Sequence, residues 1–243
     1  MNKFSFYIYF ILLILISNSF SNELPESFKG YKKVELPYHT GVTSRGELFL
    51  APTINFIEKK LLDQGFEIDG VTFRLNSYNF EVICVPGPAE NVTFQIQVFR
   101  KNDKLTGQFS AERLFISSTG NFYTESIFGY LFPVNKKFKI RGNEIVEIKQ
   151  PYYSVNLDCS VNEKLIITSE KCSKDKVLAV IPKGMQIHVL LAENPDFHEA
   201  CNGGKNYLVR TSFGLVGWIN TKSKHGIYDK VPPQIGCFVD YGP

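Results

Sequence analysis

The sequence has almost no net charge and, after its first residues, no apolar run long enough to span a membrane. Its 27 Lys and Arg stand against 24 Asp and Glu, a net charge of +3, which is too small to indicate nucleic-acid binding. Hydrophobic residues at 44% and charged residues at 21% exclude collagen-like, coiled-coil and wholly disordered chains. Aromatic side chains are abundant, with 21 Phe and 12 Tyr, and these residues favour strands over helices.

The first 21 residues have the pattern of a secretory signal peptide. Lys3 precedes an apolar run from Phe4 to Ile16, and a small-x-small step follows at Ser19–Ser21. The alternative is an uncleaved membrane anchor, but a spanning helix needs about 20 apolar residues. We therefore predict cleavage after Ser21, no membrane span after that cleavage, and a secreted or periplasmic protein.

The cysteines are predicted to form disulfides, because export places them in an oxidising compartment. There are five, at Cys84, Cys159, Cys172, Cys201 and Cys237. The simplest pairing is Cys159–Cys172 and Cys201–Cys237, which leaves Cys84 single. Four cysteines allow three connectivities, so the other two pairings stay open.

Residues 22–140 are predicted to form an α+β domain, with one helix on an antiparallel sheet. The helix is indicated by a start signal, apolar residues at spacings of three and four, and a stop signal: Pro52, Ile54, Ile57, Leu61 and Gly65. Strands are predicted from three alternating runs and two short apolar runs, at 71–75, 78–84, 92–98, 114–116 and 128–132.

Two stretches in the C-terminal third have the order of a small β-barrel. From Lys176 to Leu190, two β-prone runs flank a Lys183-Gly184 turn. From Tyr207 to Ile219, a tight hairpin ends in Gly217-Trp218. The pattern resembles the bacterial SH3 (SH3b-like) domains of extracellular proteins.

That resemblance implies an SH3-like β-barrel at 144–230, followed by a C-terminal tail at 231–243, and a role in binding cell-wall material or peptides. The usual first-strand motif of the family is absent, and the stretch from Glu193 to Asn206 is long. In the N-terminal domain, Gln64–Ile68 and the strands after it resemble PepSY-like peptidase-inhibitor domains. The predicted fold class is mainly β with an α+β N-terminal domain.

Ligand-binding candidates are aromatic or loop residues around the predicted barrel. They are Tyr152, Asp196, Tyr207, Trp218 and Tyr228. Aromatic rings with a polar tip suit peptide and sugar binding, and loops on a rigid scaffold often carry binding residues. For Tyr207 and Trp218 the alternative is simple packing inside the barrel.

No complete catalytic or metal-binding pattern is present in the sequence. A Cys84–His39 nucleophilic site is conceivable, but Cys84 alternates with the apolar residues of a strand and a buried thiol explains it better. His198 and Cys201 do not make a zinc motif, so neither a metal nor a cofactor is predicted.

The predicted function is that of an exported, non-enzymatic binding protein that recognises peptidoglycan peptide or an envelope protein partner. Two alternatives remain. One is a cell-wall hydrolase or peptidase with an unrecognised N-terminal site. The other is a secreted peptidase inhibitor or a chaperone-like module.

Overall fold

The computed structural model describes residues 24–36, 46–63, 66–75, 78–86, 94–100, 105–126, 132–142, 144–173, 175–194, 204–221 and 234–238. Within these ranges the chain forms 17 strands in three sheets. No helix in the same ranges is long and apolar enough to cross a membrane.

The chain divides between Tyr31 and Lys32 into two compact units. In the first unit, the described residues 24–31 contain one short 3-10 helix, Glu26–Phe28. The Phe28 ring meets Tyr31 edge-on, with ring centroids 5.2 Å apart. The second unit holds all three sheets.

The first sheet has six strands and one parallel pair. In sheet order the strands are β1 (Lys32–Leu36), β2 (Gly46–Leu50), β8 (Arg113–Ile116), β9 (Asn121–Ser126), β10 (Val134–Arg141) and β11 (Glu144–Ile148). β2 and β8 run parallel, and the other pairs are antiparallel. All four residues of β8 are buried, so this strand is the centre of the sheet.

The second sheet lies in the chain between β2 and β8 and is an antiparallel meander. Its strands pair in sequence order: β3 (Phe56–Asp63), β4 (Phe66–Leu75), β5 (Tyr78–Pro86), β6 (Phe94–Arg100) and β7 (Leu105–Ser110). The alternating runs predicted as strands fall in β4, β5 and β6, and the run at 114–116 forms β8. The run at 128–132 lies outside the described residues except for its last residue.

The predicted helix from Pro52 to Gly65 is wrong, because β3 occupies this part of the chain. β3 pairs residue by residue with β4 along its whole length. Ile54 is 3% exposed whereas Ile57 is 68% exposed, so these residues do not share a buried face as they would on a helix. Pairing with an adjacent, strongly β-prone strand outweighs the local spacing, and the α+β assignment fails with it.

Aromatic rings join the first two sheets. Phe122 of β9 lies 6.3 Å from Phe80 of β5 and 6.2 Å from Phe109 of β7, measured between ring centroids. Phe109 also meets Phe138 of β10 edge-on at 4.8 Å. Edge-on and offset arrangements are the favourable ones for aromatic pairs, so this cluster stabilises the contact between the sheets.

The third sheet has six strands and is open, so the predicted SH3-like barrel is wrong. Its order is β12 (Tyr152–Ser160), β15 (Gln186–Glu193), β16 (Lys205–Thr211), β17 (Val216–Thr221), β13 (Leu165–Thr168) and β14 (Val177–Ile181). Closure would require β14 to pair with β12, and the described residues contain no such pairing. β17 meets β13 in the single pair Thr168–Trp218, and the sheet stays open.

Three glycines sit where the sequence requires them. Gly184 and Gly214 both have φ of +90°, which confirms the two predicted turns, since glycine adopts this conformation without strain. At Gly217 two backbones approach closely, because a Cβ there would lie 2.7 Å from the Thr168 carbonyl oxygen.

The predicted disulfide pairing is wrong: the structure joins Cys159 to Cys237, with Cα atoms 4.7 Å apart. This bond excludes both Cys159–Cys172 and Cys201–Cys237. Cys172 is also disulfide-bonded, and Cys201 lies outside the described residues. The sequence suggested pairing between near neighbours, whereas the backbone brings the segment 234–238 beside the end of β12.

Candidate binding site

The two faces of the third sheet differ in chemistry. Tyr207, Val209 and Ile219 are almost completely buried on the inner face. Their neighbours Trp218 and Asn220 point to the opposite, outer face and are partly exposed, because successive side chains in a strand alternate. The outer face carries the candidate site.

An aromatic pair with a lysine above it forms the first part of the site. The rings of Tyr152 and Trp218 lie 5.7 Å apart between centroids. The Nζ atom of Lys171 lies 5.1 Å from the Tyr152 centroid and 5.6 Å from the Trp218 centroid. Both distances fit cation–π contacts, so Lys171 helps to hold the two rings together.

A chain of hydrogen bonds continues from Lys171 across the outer face. Lys171 donates to Glu193 at 2.6 Å, and Asn206 Nδ2 donates to the other oxygen of Glu193 at 2.5 Å. Asn220 Nδ2 in turn donates to Asn206 Oδ1 at 2.8 Å. The Glu193 side chain is only 7% exposed, so its charge is satisfied by these donors rather than by bulk water.

The contacts of Lys171 favour its charged form. Burial alone would lower the pKa of Lys171, but the hydrogen bonds to Glu193 and Tyr152 outweigh it and raise the pKa above its usual value. The lysine is therefore charged at physiological pH, and its attraction to Glu193 holds the loop after β13 against the aromatic pair.

Close packing keeps the asparagines in place. A Cβ on Gly204 would lie 2.5 Å from Asn220 Oδ1 and 2.6 Å from the Thr221 carbonyl oxygen. Asn206 is buried, at 2% exposure. Only glycine at position 204 lets the chain pass this close to the amide pair, so the site is built into the sheet.

A cleft of about 560 Å³ opens beside these residues. Its polar and aromatic lining consists of one indole, three amides, two hydroxyls, one carboxylate and one lysine: Trp218, Asn206, Asn220, Gln234, Thr168, Ser173, Glu163 and Lys164. This mixture of an aromatic surface with neutral donors and acceptors suits a ligand rich in amide or hydroxyl groups.

The structure brings together two of the five predicted ligand-binding residues, Tyr152 and Trp218. Tyr207 is 1% exposed and packs on Phe238 with centroids 5.2 Å apart, so it belongs to the core. Burial also raises the pKa of its hydroxyl. Asp196 and Tyr228 lie outside the described residues.

Sequence reasoning missed the polar half of the site, namely Lys171, Glu193, Asn206 and Asn220. Asn206 and Asn220 lie at the ends of two strongly β-prone runs, and asparagine is depleted in strands. An asparagine in a strand was therefore the one sequence feature that could have indicated these two residues of the site. Lys171 and Glu193 have no such signal, because their contact joins a loop to a strand 22 residues further along the chain.

A second polar cluster surrounds His188 of β15. Its Nδ1 lies 2.7 Å from Asp158 Oδ1, and its Nε2 lies 2.9 Å from Asn156 Oδ1. A His–Asp pair is part of many hydrolytic sites, but there Nε2 faces the nucleophile. Here an amide oxygen occupies that position, so the cluster is a structural link between β12 and β15.

The other chemical candidates gain no support from the geometry. Cys84 lies in β5, and His39, His198 and Cys201 are outside the described residues. Within the described ranges, no three His, Cys, Asp or Glu residues come together as metal ligands would.

Comparison with known proteins found no matching family model, no similar curated protein and no similar solved structure. The resemblance to SH3b-like and PepSY-like domains therefore stays a prediction.

Proposed function

We propose that the chain is an exported, non-enzymatic binding protein whose third sheet binds the peptide part of the cell wall. The observation that carries the proposal is the cleft beside Trp218. It places an aromatic ring next to the paired amides of Asn206 and Asn220. A peptide offers amide groups for these partners and aliphatic surface for the ring.

Export is supported by two features. The sequence begins with the pattern of a signal peptide, and the chain contains the Cys159–Cys237 disulfide. Disulfides form and persist in oxidising compartments.

The rigidity of the site also supports binding. Lys171, Glu193 and Asn206 are linked to one another by hydrogen bonds before any ligand arrives. A site that is already ordered loses little conformational entropy when the ligand binds, and this favours affinity.

The test is retention of the full chain on purified peptidoglycan sacculi. Trp218→Ala should weaken retention about thirtyfold, the effect of removing an aromatic residue at the centre of a binding surface. Ile166→Asn changes an exposed residue that lines the cleft and should also weaken it without disturbing the core.

Phe213→Ala is the matched control, because Phe213 is an exposed aromatic residue in the β16–β17 turn. Its retention should equal that of the wild type. Wild-type protein that is not retained, while it still co-purifies with an envelope protein, would refute the cell-wall ligand. If all three variants were retained as well as the wild type, the cleft would not be the binding site.

A further inference from the structure

β14 is the last strand of the third sheet in the described part of the chain. Val177, Leu178 and Val180 on this strand are each between 44% and 48% exposed. Ile166 of the neighbouring β13 lies opposite Val180 and is exposed to a similar extent. An exposed edge strand with apolar side chains is a surface onto which another strand can pair.

An exposed carboxylate precedes β14 and an exposed lysine follows it. Asp175 precedes the strand and Lys183 follows it, and both side chains are exposed. Within the described residues neither is in an ion pair, whereas the intervening Lys176 already pairs with Glu170. Beyond its two ends, one strand thus offers the Asp175 carboxylate and the Lys183 ammonium group, with apolar residues between them.

The β14 strand of a second molecule, running antiparallel, matches this arrangement of charged and apolar residues. Pairing centred on Ala179 places Leu178 of each copy opposite Val180 of the other. It also brings Asp175 of each copy to the end where Lys183 of the other lies. Two-fold symmetry uses every contact twice.

We propose that the edge of β14 is a homodimer contact, in which two copies pair antiparallel and form two Asp175–Lys183 ion pairs. The third sheets of the copies then become one continuous sheet. Another protein strand could also pair with this edge, but a second copy supplies a lysine and a carboxylate at the matching positions by symmetry. This proposal does not depend on the ligand of the cleft.

The test is sedimentation equilibrium of the full chain, purified from an exporting host with its disulfides intact. Asp175→Lys and Lys183→Asp each replace two attractive pairs by two repulsive ones. Each should weaken the dimer about tenfold. The double variant Asp175→Lys/Lys183→Asp restores opposite charges and should recover the wild-type dimer.

Arg210→Asp is the matched control, a charge reversal at an exposed position of β16, and it should leave the dimer unchanged. All these positions are exposed, and equal thermal midpoints would show that the variants fold alike. A wild type that stays monomeric up to about 1 mM overturns the proposal. So does a dimer that survives both single changes, or a double variant that is no tighter than the single ones.

Discussion

Removing the Cys159–Cys237 bond tests how the C-terminal part of the chain is held together. The bond spans a sequence separation of 78 residues and encloses strands β13 to β17. Around it the backbone is also tied by hydrogen bonds: Asn162 N–H donates to the Gln234 carbonyl at 2.9 Å, and Gly236 N–H donates to the Ser160 carbonyl at 2.8 Å.

The size of the effect follows from the length of the loop. Closing a loop of this length restricts the unfolded chain by an amount equivalent to about 4.5 kcal/mol at 25 °C. Engineered bonds often deliver less than this value, so the variant Cys159→Ala/Cys237→Ala should lose about 3–4.5 kcal/mol of unfolding free energy. The hydrogen bonds to the segment 234–238 remain and keep the folded state similar.

Urea unfolding followed by tryptophan fluorescence is the direct assay, because Trp218 is the single tryptophan and lies in the third sheet. Cys159→Ala alone and Cys237→Ala alone should each lose nearly as much as the double variant, since either change opens the same loop. Their effects should therefore be strongly non-additive.

Two results would refute this reasoning. One is a loss below about 1 kcal/mol in the double variant, and the other is additivity of the single variants. Peptide mapping without reduction gives an independent check. It should find Cys159 linked to Cys237, and Cys172 in a second bond whose remaining candidate partners are Cys84 and Cys201.

Two further predictions concern close packing and pH. Gly217→Ala should cost about 2–3 kcal/mol in urea unfolding, because the new Cβ meets the Thr168 carbonyl oxygen at 2.7 Å. The control Gly184→Ala has open space and only a positive φ to oppose it, so it should cost about 1 kcal/mol; equal losses would contradict the packing argument. Burial raises the pKa of Glu125 despite the opposing effect of Arg113. The folded state therefore binds the carboxyl proton of Glu125 more tightly than the unfolded state does. Because of this difference, the stability of the protein falls as the pH rises through the folded-state pKa. As the pH rises from the ordinary carboxyl range through the folded-state pKa, Glu125→Gln should therefore gain stability relative to the wild type, and a relative loss would mean that the ion pair with Arg113 dominates.

The strands were predictable where one face of a strand is buried and the other is not. Val71, Phe73 and Leu75 alternate with polar residues, and the structure buries all three in β4. The two turns at Gly184 and Gly214 were predictable for a similar reason, since positive φ is a local requirement that glycine meets.

The helix prediction failed because spacing describes only one segment at a time. Ile54 and Ile57 suit a helical face in sequence, yet β4 offers a full antiparallel partner next in the chain. Pairing along an entire strand adds hydrogen bonds and burial that a short isolated helix does not have. The same limit applies to the barrel, because closure depends on strands at opposite ends of the sheet.

The candidate site was half predictable. Aromatic residues are conspicuous in the sequence, so Tyr152 and Trp218 were identified, but Tyr207 was included although it faces the core. Strand alternation separates Tyr207 from Trp218 only when the pairing register is known. Lys171 and Glu193 came from segments with no local signal at all.

The sequence alone determined the β-rich character of the chain, its turns and its signal-peptide pattern, because these depend on residue type and short-range period. Only the tertiary structure decided the order of the strands, the Cys159–Cys237 bond and the contact of Lys171 with Glu193. Each of these joins residues far apart in the chain. Their free energy comes from burial and pairing that exist only once the sheets have assembled.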